Sequence, residues 1–360
     1  MTQKPLIERS LSERILTIGE YFQDKEHGGI AAVLQYYRPY FDGFAFLPSS
    51  RRLTWADKLR YDLGSFFRLG WILLTDRKIR LVHIHTAAGG SFTKHLYYAA
   101  LARMMGRRVI MHCHASRFRI WFESLPQTKQ GAVLRRMSKL DRLIVLSQSW
   151  KAYFVQIGMD GDRIEVLHNI TPPAALERTE RAEGAPLRLL FLGEIGPRKG
   201  VFDLLETMRL LKEKQPGGFS LDIGGNKREE VLRAAIREKG LEDAVRFDGF
   251  VSGEKKAALL AGTDVFVLPS YNEGLPISIL EAMSYGCAIL STPVGGIPEV
   301  VRENGILVQP GDVSTLAEAL VTMQDDTLRR RMGAESLRVV QDYYPEAVLS
   351  HLRSIYLSLL

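Results

Sequence analysis

The chain has 360 residues, 46% of them hydrophobic and 25% charged, values that exclude a disordered or fibrous polypeptide; the length exceeds what one core usually serves, so two α/β domains are expected. No run approaches the roughly 18 uncharged apolar residues of a membrane-spanning helix, and the N-terminus lacks the apolar stretch of a secretory signal, so a cytoplasmic location is expected. The net charge of +7 is uneven, with 26 Lys/Arg against 14 Asp/Glu over residues 1–165 and 22 against 27 over the remainder, which makes the first half a basic body suited to anionic partners.

In chain order, apolar β-rich runs alternate with amphipathic stretches, the pattern of parallel strands joined by helical crossovers. Strands are predicted at Arg14 to Gly19, Leu81 to His85, Val109 to His114, Leu143 to Leu146 and Ile164 to Leu167. After the first strand, Gly28 and Gly29 lead into a helical run, and such a pair lets backbone approach a ligand. Val82-His83-Ile84-His85 and Met111-His112-Cys113-His114 each end a strand, so alternation sends both histidines of a pair to one face. Cys113 points to the other face and no further ligand is evident, so no metal is expected here. His114 is the preferred site residue, and His85 is expected to line the same side. Asp160-Gly161-Asp162 reads as a polar turn rather than a cation site. Cys113 and Cys287 lie in apolar runs far apart and read as core thiols.

Residues 171–185 carry Pro172 and Pro173, several charges and few apolar residues, and read as a linker. The expected organisation is a first domain over 1–170, a second over 186–342, and a C-terminal helix over 343–360 that packs back on the first. The second series of strands comprises Leu187 to Leu192, Ser220 to Ile223, Val245 to Phe247, Val265 to Leu268, Ala288 to Ser291 and Gly305 to Val308. Two doubly wound, Rossmann-like sheets facing across a cleft are therefore expected, with ligands at the carboxyl ends of the strands.

Two turns of the second half carry chemistry. In Phe191-Leu-Gly193-Glu-Ile-Gly-Pro-Arg198-Lys199-Gly200, glycine permits a tight strand-to-helix turn, while Arg198 and Lys199 bring positive charge to it. In Ser270-Tyr-Asn-Glu273-Gly274-Leu275-Pro276-Ile277-Ser278-Ile-Leu-Glu281, a strand gives way to a helix that starts near Pro276. Its first amides favour a diphosphate. Glu273 and Glu281 suit hydroxyl-rich ligands, because a carboxylate only accepts and two neighbouring hydroxyls can donate to it.

The Glu273-x7-Glu281 segment resembles the signature of retaining glycosyltransferases of the GT-B fold, specifically glycosyltransferase family four, and the other motifs fall in that family's order. The resemblance implies that Glu273 meets the hydroxyls of the donor sugar, that the backbone from Gly274 to Ser278 meets sugar and phosphate, and that Glu281 holds the ribose. It further implies that Gly193, Arg198 and Lys199 clamp the phosphates, that Gly28, Gly29 and His114 lie near the transferred sugar, and that neither metal nor other cofactor is required. The implied substrates are a UDP- or GDP-sugar and a saccharide or polyprenyl-diphosphate-linked acceptor, as in polysaccharide synthesis. A sugar-nucleotide epimerase and a non-catalytic nucleotide-binding module are the alternatives on the same architecture. No zinc spacing, RNA-binding aromatic motif or basic recognition helix points to nucleic acid. The basic first half suggests peripheral contact with an anionic membrane through Arg51-Arg52, Arg107-Arg108, Arg117, Arg119 and Arg135-Arg136, with Phe118, Trp121 and Phe122 as apolar anchors.

Overall fold

A computed structural model describes residues 4–21, 29–50, 55–114 and 116–360. The chain divides into one compact unit of residues 1–170 and 345–360 and a second of 171–344.

The first unit holds a six-stranded sheet of β1 (Ile15–Glu20), β2 (Phe46–Ser50), β3 (Leu81–Thr86), β4 (Arg108–Cys113), β5 (Arg142–Val145) and β6 (Ile164–Val166), in the order β2-β1-β3-β4-β5-β6. All its pairings are parallel. Strand β2 is the one that the pattern of apolar runs does not reveal. It carries Pro48, which has no N–H for a ladder, and it lies at the sheet edge, where proline is tolerated. The long helix Trp55–Thr75 and the helix Gly90–Met104 place Leu69, Leu73, Phe92 and Leu96 in the core beneath this sheet. The C-terminal helix Pro345–Leu357 belongs to this unit and buries Leu352 and Tyr356 completely.

The second unit holds β7 (Leu187–Leu192), β8 (Phe219–Gly224), β9 (Val245–Phe247), β10 (Val265–Leu268), β11 (Ala288–Ser291) and β12 (Gly305–Leu307) in the order β12-β11-β10-β7-β8-β9, again all parallel. Counted from β7, this is the 3-2-1-4-5-6 order of dinucleotide-binding folds. Strand order reverses between β7 and β10, and ligands of such sheets bind at the carboxyl ends of the strands beside this switch point. In the first sheet the corresponding reversal lies between β1 and β3. The central strands are buried throughout, which is why they read as continuous apolar runs without alternation.

Candidate functional site

The switch point of the second unit brings its two charged turns together. After β7 the chain passes Gly193 and makes a short 3-10 turn, Pro197–Lys199, and Gly200 adopts the left-handed conformation (φ 69°) that starts the helix Val201–Lys214. A side chain on Gly200 would land on the carbonyl of Pro269, so glycine is needed both for the conformation and for the close approach of the loop after β10. Two further glycines perform the same task. A Cβ on Gly225, after β8, would meet the Gly193 carbonyl, and one on Gly295, after β11, would meet the Glu273 carbonyl. Four loops are thus packed backbone against backbone at the carboxyl ends of β7, β8, β10 and β11, which fixes the side chains they carry.

Glu273 is the centre of this arrangement. Its side chain is only 6% exposed, and Oε1 accepts hydrogen bonds from Lys199 Nζ at 2.5 Å and Ser270 Oγ at 2.7 Å. Arg198 Nη1 lies 3.8 Å from the same oxygen and donates to the Asn272 carbonyl at 3.0 Å. A buried carboxylate persists only when paired and hydrogen-bonded, and Lys199 and Ser270 meet that need. Thr292 Oγ1 donates to the Ser270 carbonyl at 2.5 Å, which ties the loop after β11 to the site. Asn272 Oδ1 is buried beside Glu273 with no hydrogen-bond partner among the described residues. Glu194, bridged to Lys227 at 3.0 Å, lies 4.0 Å from Arg198; the adjoining cations hold its carboxyl below the usual range despite partial burial.

Gly274, Leu275 and Pro276 are buried, and the Gly274 carbonyl accepts from Gly296 N–H at 2.6 Å. Pro276 caps the helix Ile277–Ser284 in an extended conformation, leaving Ile277 and Ser278 in its first turn. Glu281 lies on that helix, buried, and pairs with Lys256 Nζ at 2.7 Å. Reading the sequence does not find Lys256. It belongs to the helix Gly253–Ala261, whose charges read as a solvated face, and only the tertiary fold brings it to Glu281. Ser270 is missed likewise, since a serine three residues from a glutamate carries no spacing signal.

In the first unit, Gly28 lies outside the described residues. Gly29 opens the helix Gly29–Tyr37, and a Cβ there would meet open space. His114, just past the end of β4, is partly exposed and stacks on His112 at 4.0 Å between ring centroids. Its Nε2 lies 2.9 Å from His85 Nδ1. Desolvation pushes His114 down to about 3, so the ring is neutral near pH 7. His85, expected to line the site, is instead completely buried behind His114, because β3 is a central strand covered on both faces. The two histidine pairs do share one face, with His83 and His112 stacked 5.5 Å apart.

The expected aromatic membrane anchor is corrected. Phe118 and Phe122 are buried and Trp121 packs on Phe92 and Phe118, so this aromatic run is core and not a membrane anchor. Arg51 and Arg52 lie outside the described residues. The Asp160-Gly161-Asp162 segment is a capped turn: Asp160 Oδ1 accepts from Asp162 N–H at 3.0 Å. Both cysteines are buried, as core thiols are.

Residues 175–338 match the family described as glycosyl transferases group 1, and residues 23–174 match glycosyltransferase family 4. The chain is 29% identical over 227 residues to a putative colanic acid biosynthesis glycosyltransferase of Salmonella typhimurium, covering 60% of this chain and 56% of that protein. It is 31% identical over 199 residues to the amylovoran biosynthesis glycosyltransferase of Erwinia amylovora, covering 52% of this chain and 49% of that protein. The matched stretch thus spans about half the length of these relatives. In fold, the chain is similar to Anabaena HepE, crystallised with UDP, with a TM-score of 0.76 at 19% identity, over 96% of this chain and all of that one.

Proposed function

We propose that this chain, which belongs to the group 1, family four glycosyl transferases, moves a sugar from a nucleoside diphosphate onto a saccharide or lipid-linked saccharide with retention of anomeric configuration. The observation that carries this reading is the buried Glu273 held by Lys199 beside Arg198 at the switch point of the second sheet. In the absence of donor the two charges neutralise one another. When a diphosphate enters, Lys199 and Arg198 exchange carboxylate for phosphate oxygens, and Glu273 becomes an acceptor for sugar hydroxyls. Asn272 Oδ1 offers a second acceptor, already desolvated. Glu281, steadied by Lys256, takes the ribose hydroxyls.

In the transfer step the acceptor oxygen bonds to the anomeric carbon on the face from which the diphosphate departs. The glycosyl–phosphate bond breaks, and the acceptor's proton passes to the departing phosphate oxygen, giving a glycoside and a nucleoside diphosphate. The chain's part is electrostatic: fixed cations and first-turn amides of the helix Ile277–Ser284 offset charge growing on the leaving group. No divalent ion is needed at the phosphates. His114, neutral, is a hydrogen-bonding partner for the transferred sugar rather than a cation. A panel of UDP- and GDP-sugars, read by nucleoside diphosphate release with and without a saccharide acceptor, tests the reading. Release that depends on acceptor and survives brief EDTA treatment is expected; turnover of donor alone would instead favour an epimerase or hydrolase.

The acceptor is drawn from an anionic membrane surface, and the helix Trp55–Thr75 is the element suited to meet it. Leu69 and Leu73 face the core, whereas Leu63, Phe67, Trp71 and Leu74 form a second apolar stripe, 53% to 73% exposed, within about 80° of one another. Exposed Arg60 and Arg68 lie on the same helix, a combination that binds interfaces carrying negative lipid. Among the described residues no helix is long and apolar enough to cross a membrane. Sedimentation with phosphatidylglycerol vesicles is expected for the native chain, and Phe67→Glu with Trp71→Glu should abolish it; equal sedimentation of both would remove this surface from the account.

A further inference from the structure

The histidines of β3 and β4 are not all explained by the proposed transfer. His95, also buried, shows how this fold satisfies an imidazole: Nε2 is 2.8 Å from Ser49 Oγ and Nδ1 is 2.9 Å from Thr86 Oγ1. His83, His85 and His112 differ. All three are at most 1% exposed, yet among the described residues His83 Nε2, His85 Nε2 and both nitrogens of His112 have no hydrogen-bond partner. One ring nitrogen from each lies within 4.8 Å of the others. Orphaned polar atoms are rare in protein interiors, and four on three neighbouring rings call for a ligand.

We propose that His83, His85 and His112 form a buried site for one divalent transition ion, zinc in the first instance. For two of the three rings the second shell is already in place. His83 Nδ1 lies 2.7 Å from Tyr356 Oη and His85 Nδ1 lies 2.9 Å from His114 Nε2. With each Nδ1 protonated and donating to these acceptors, each Nε2 presents its lone pair inward, the arrangement that orients histidine ligands around metals. His112 can present either nitrogen. A single water has two hydrogens and leaves one of three clustered lone pairs unmet, whereas a cation accepts all three. Burial keeps the rings neutral, as ligation requires. An all-imidazole set with no thiolate or carboxylate suits zinc, copper, nickel or cobalt rather than magnesium or calcium. Three protein ligands leave a fourth position for a solvent oxygen. Zinc–nitrogen bonds of about 2.0–2.1 Å place tetrahedral ligands roughly 3.3 Å apart, so binding draws the rings inward. The ion ties β3 to β4 and, through Tyr356, to the C-terminal helix. It takes no part in the phosphate chemistry, which belongs to the second unit.

The test uses the full chain purified without a polyhistidine tag. Elemental analysis should find about one zinc per chain. After removal of metal with dipicolinate, one equivalent of cobalt(II) should give the visible d–d absorption of a tetrahedral site, and excess zinc should raise the melting temperature by several degrees. His112→Gln with His83→Gln should lose the cobalt signal, whereas His95→Gln should keep it. Should the double variant fail to fold, the stripped native chain decides alone. A native chain that is folded without metal, takes up neither zinc nor cobalt, and melts at an unchanged temperature overturns the proposal.

Discussion

The two units present the same architecture with opposite electrostatics at their strand ends. In the second unit the loop after β7 and the segment after β10 carry partly buried ion pairs, Lys199 with Glu273 and Lys256 with Glu281. In the first, β3 and β4 end in a stack of neutral imidazoles. A diphosphate brings charge into its site, so its binding face needs ions already desolvated and held; a face meeting uncharged hydroxyls needs only donors and acceptors. Paired charge and neutral ring are two ways of keeping polar groups inside a parallel sheet, and each fails differently when disturbed.

Removing the paired charge should produce the largest effect. Lys199→Ala leaves Glu273 buried without its cation and removes charge opposite the leaving phosphate; kcat should fall about 10²–10³-fold, comparable to loss of one preorganised transition-state donor. Glu273→Ala should fall at least as far, and circular dichroism should report a native fold in both. The next effect concerns the glycines that hold the charged loops. Gly225→Ala drives a Cβ onto the Gly193 carbonyl, and Gly295→Ala does so at Glu273 from a left-handed backbone (φ 58°). Each should cost about 3 kcal/mol in denaturant midpoint analysis, whereas Gly29→Ala, facing open space, should leave stability unchanged.

The neutral face is sensitive to acid. In the metal-free chain, burial lowers His83, His95 and His114 from 6.5 to about 3. The unfolded chain therefore binds protons that the folded chain refuses, and stability contributed by the neutral rings, present in full above pH 6.5, is lost as pH falls from 6.5 toward 3. Each group contributes about 2 kcal/mol of the loss by pH 5, visible as a falling melting temperature between pH 7.5 and 5. Asp160→Asn with Asp162→Asn should matter least, within about 0.5 kcal/mol and without change in turnover, since both acids lie in an exposed turn.

What the sequence disclosed follows from burial. Strands β10 and β11 coincide with the predicted runs at both ends, because strands of a parallel sheet covered on both faces must be apolar throughout and bounded by turns. Strand β2 escaped because Pro48, Ser49 and Ser50 are edge residues, chosen for what they do not pair with. The Glu273 and Glu281 motif was legible because local spacing carries it. Lys256, Ser270 and the Gly225 contact were not, since each reaches its partner only across the fold. One aromatic run misled: Phe118 and Phe122 lie among arginines yet fill the core, whereas the exposed aromatics are Phe67 and Trp71, on a helix whose second apolar stripe only the fold reveals.

The central claim is that Lys199 meets the diphosphate, and Glu273 the sugar, of a bound nucleotide-sugar. Titration calorimetry of UDP and GDP against the native chain and Lys199→Ala, in EDTA, addresses it without knowledge of the acceptor. The account predicts metal-free binding of one nucleotide by the native chain and at least about tenfold weaker binding by the variant, one charge-assisted contact being worth roughly 1.5–3 kcal/mol. Equal affinity of the two proteins, or binding only when a divalent ion is supplied, would contradict it.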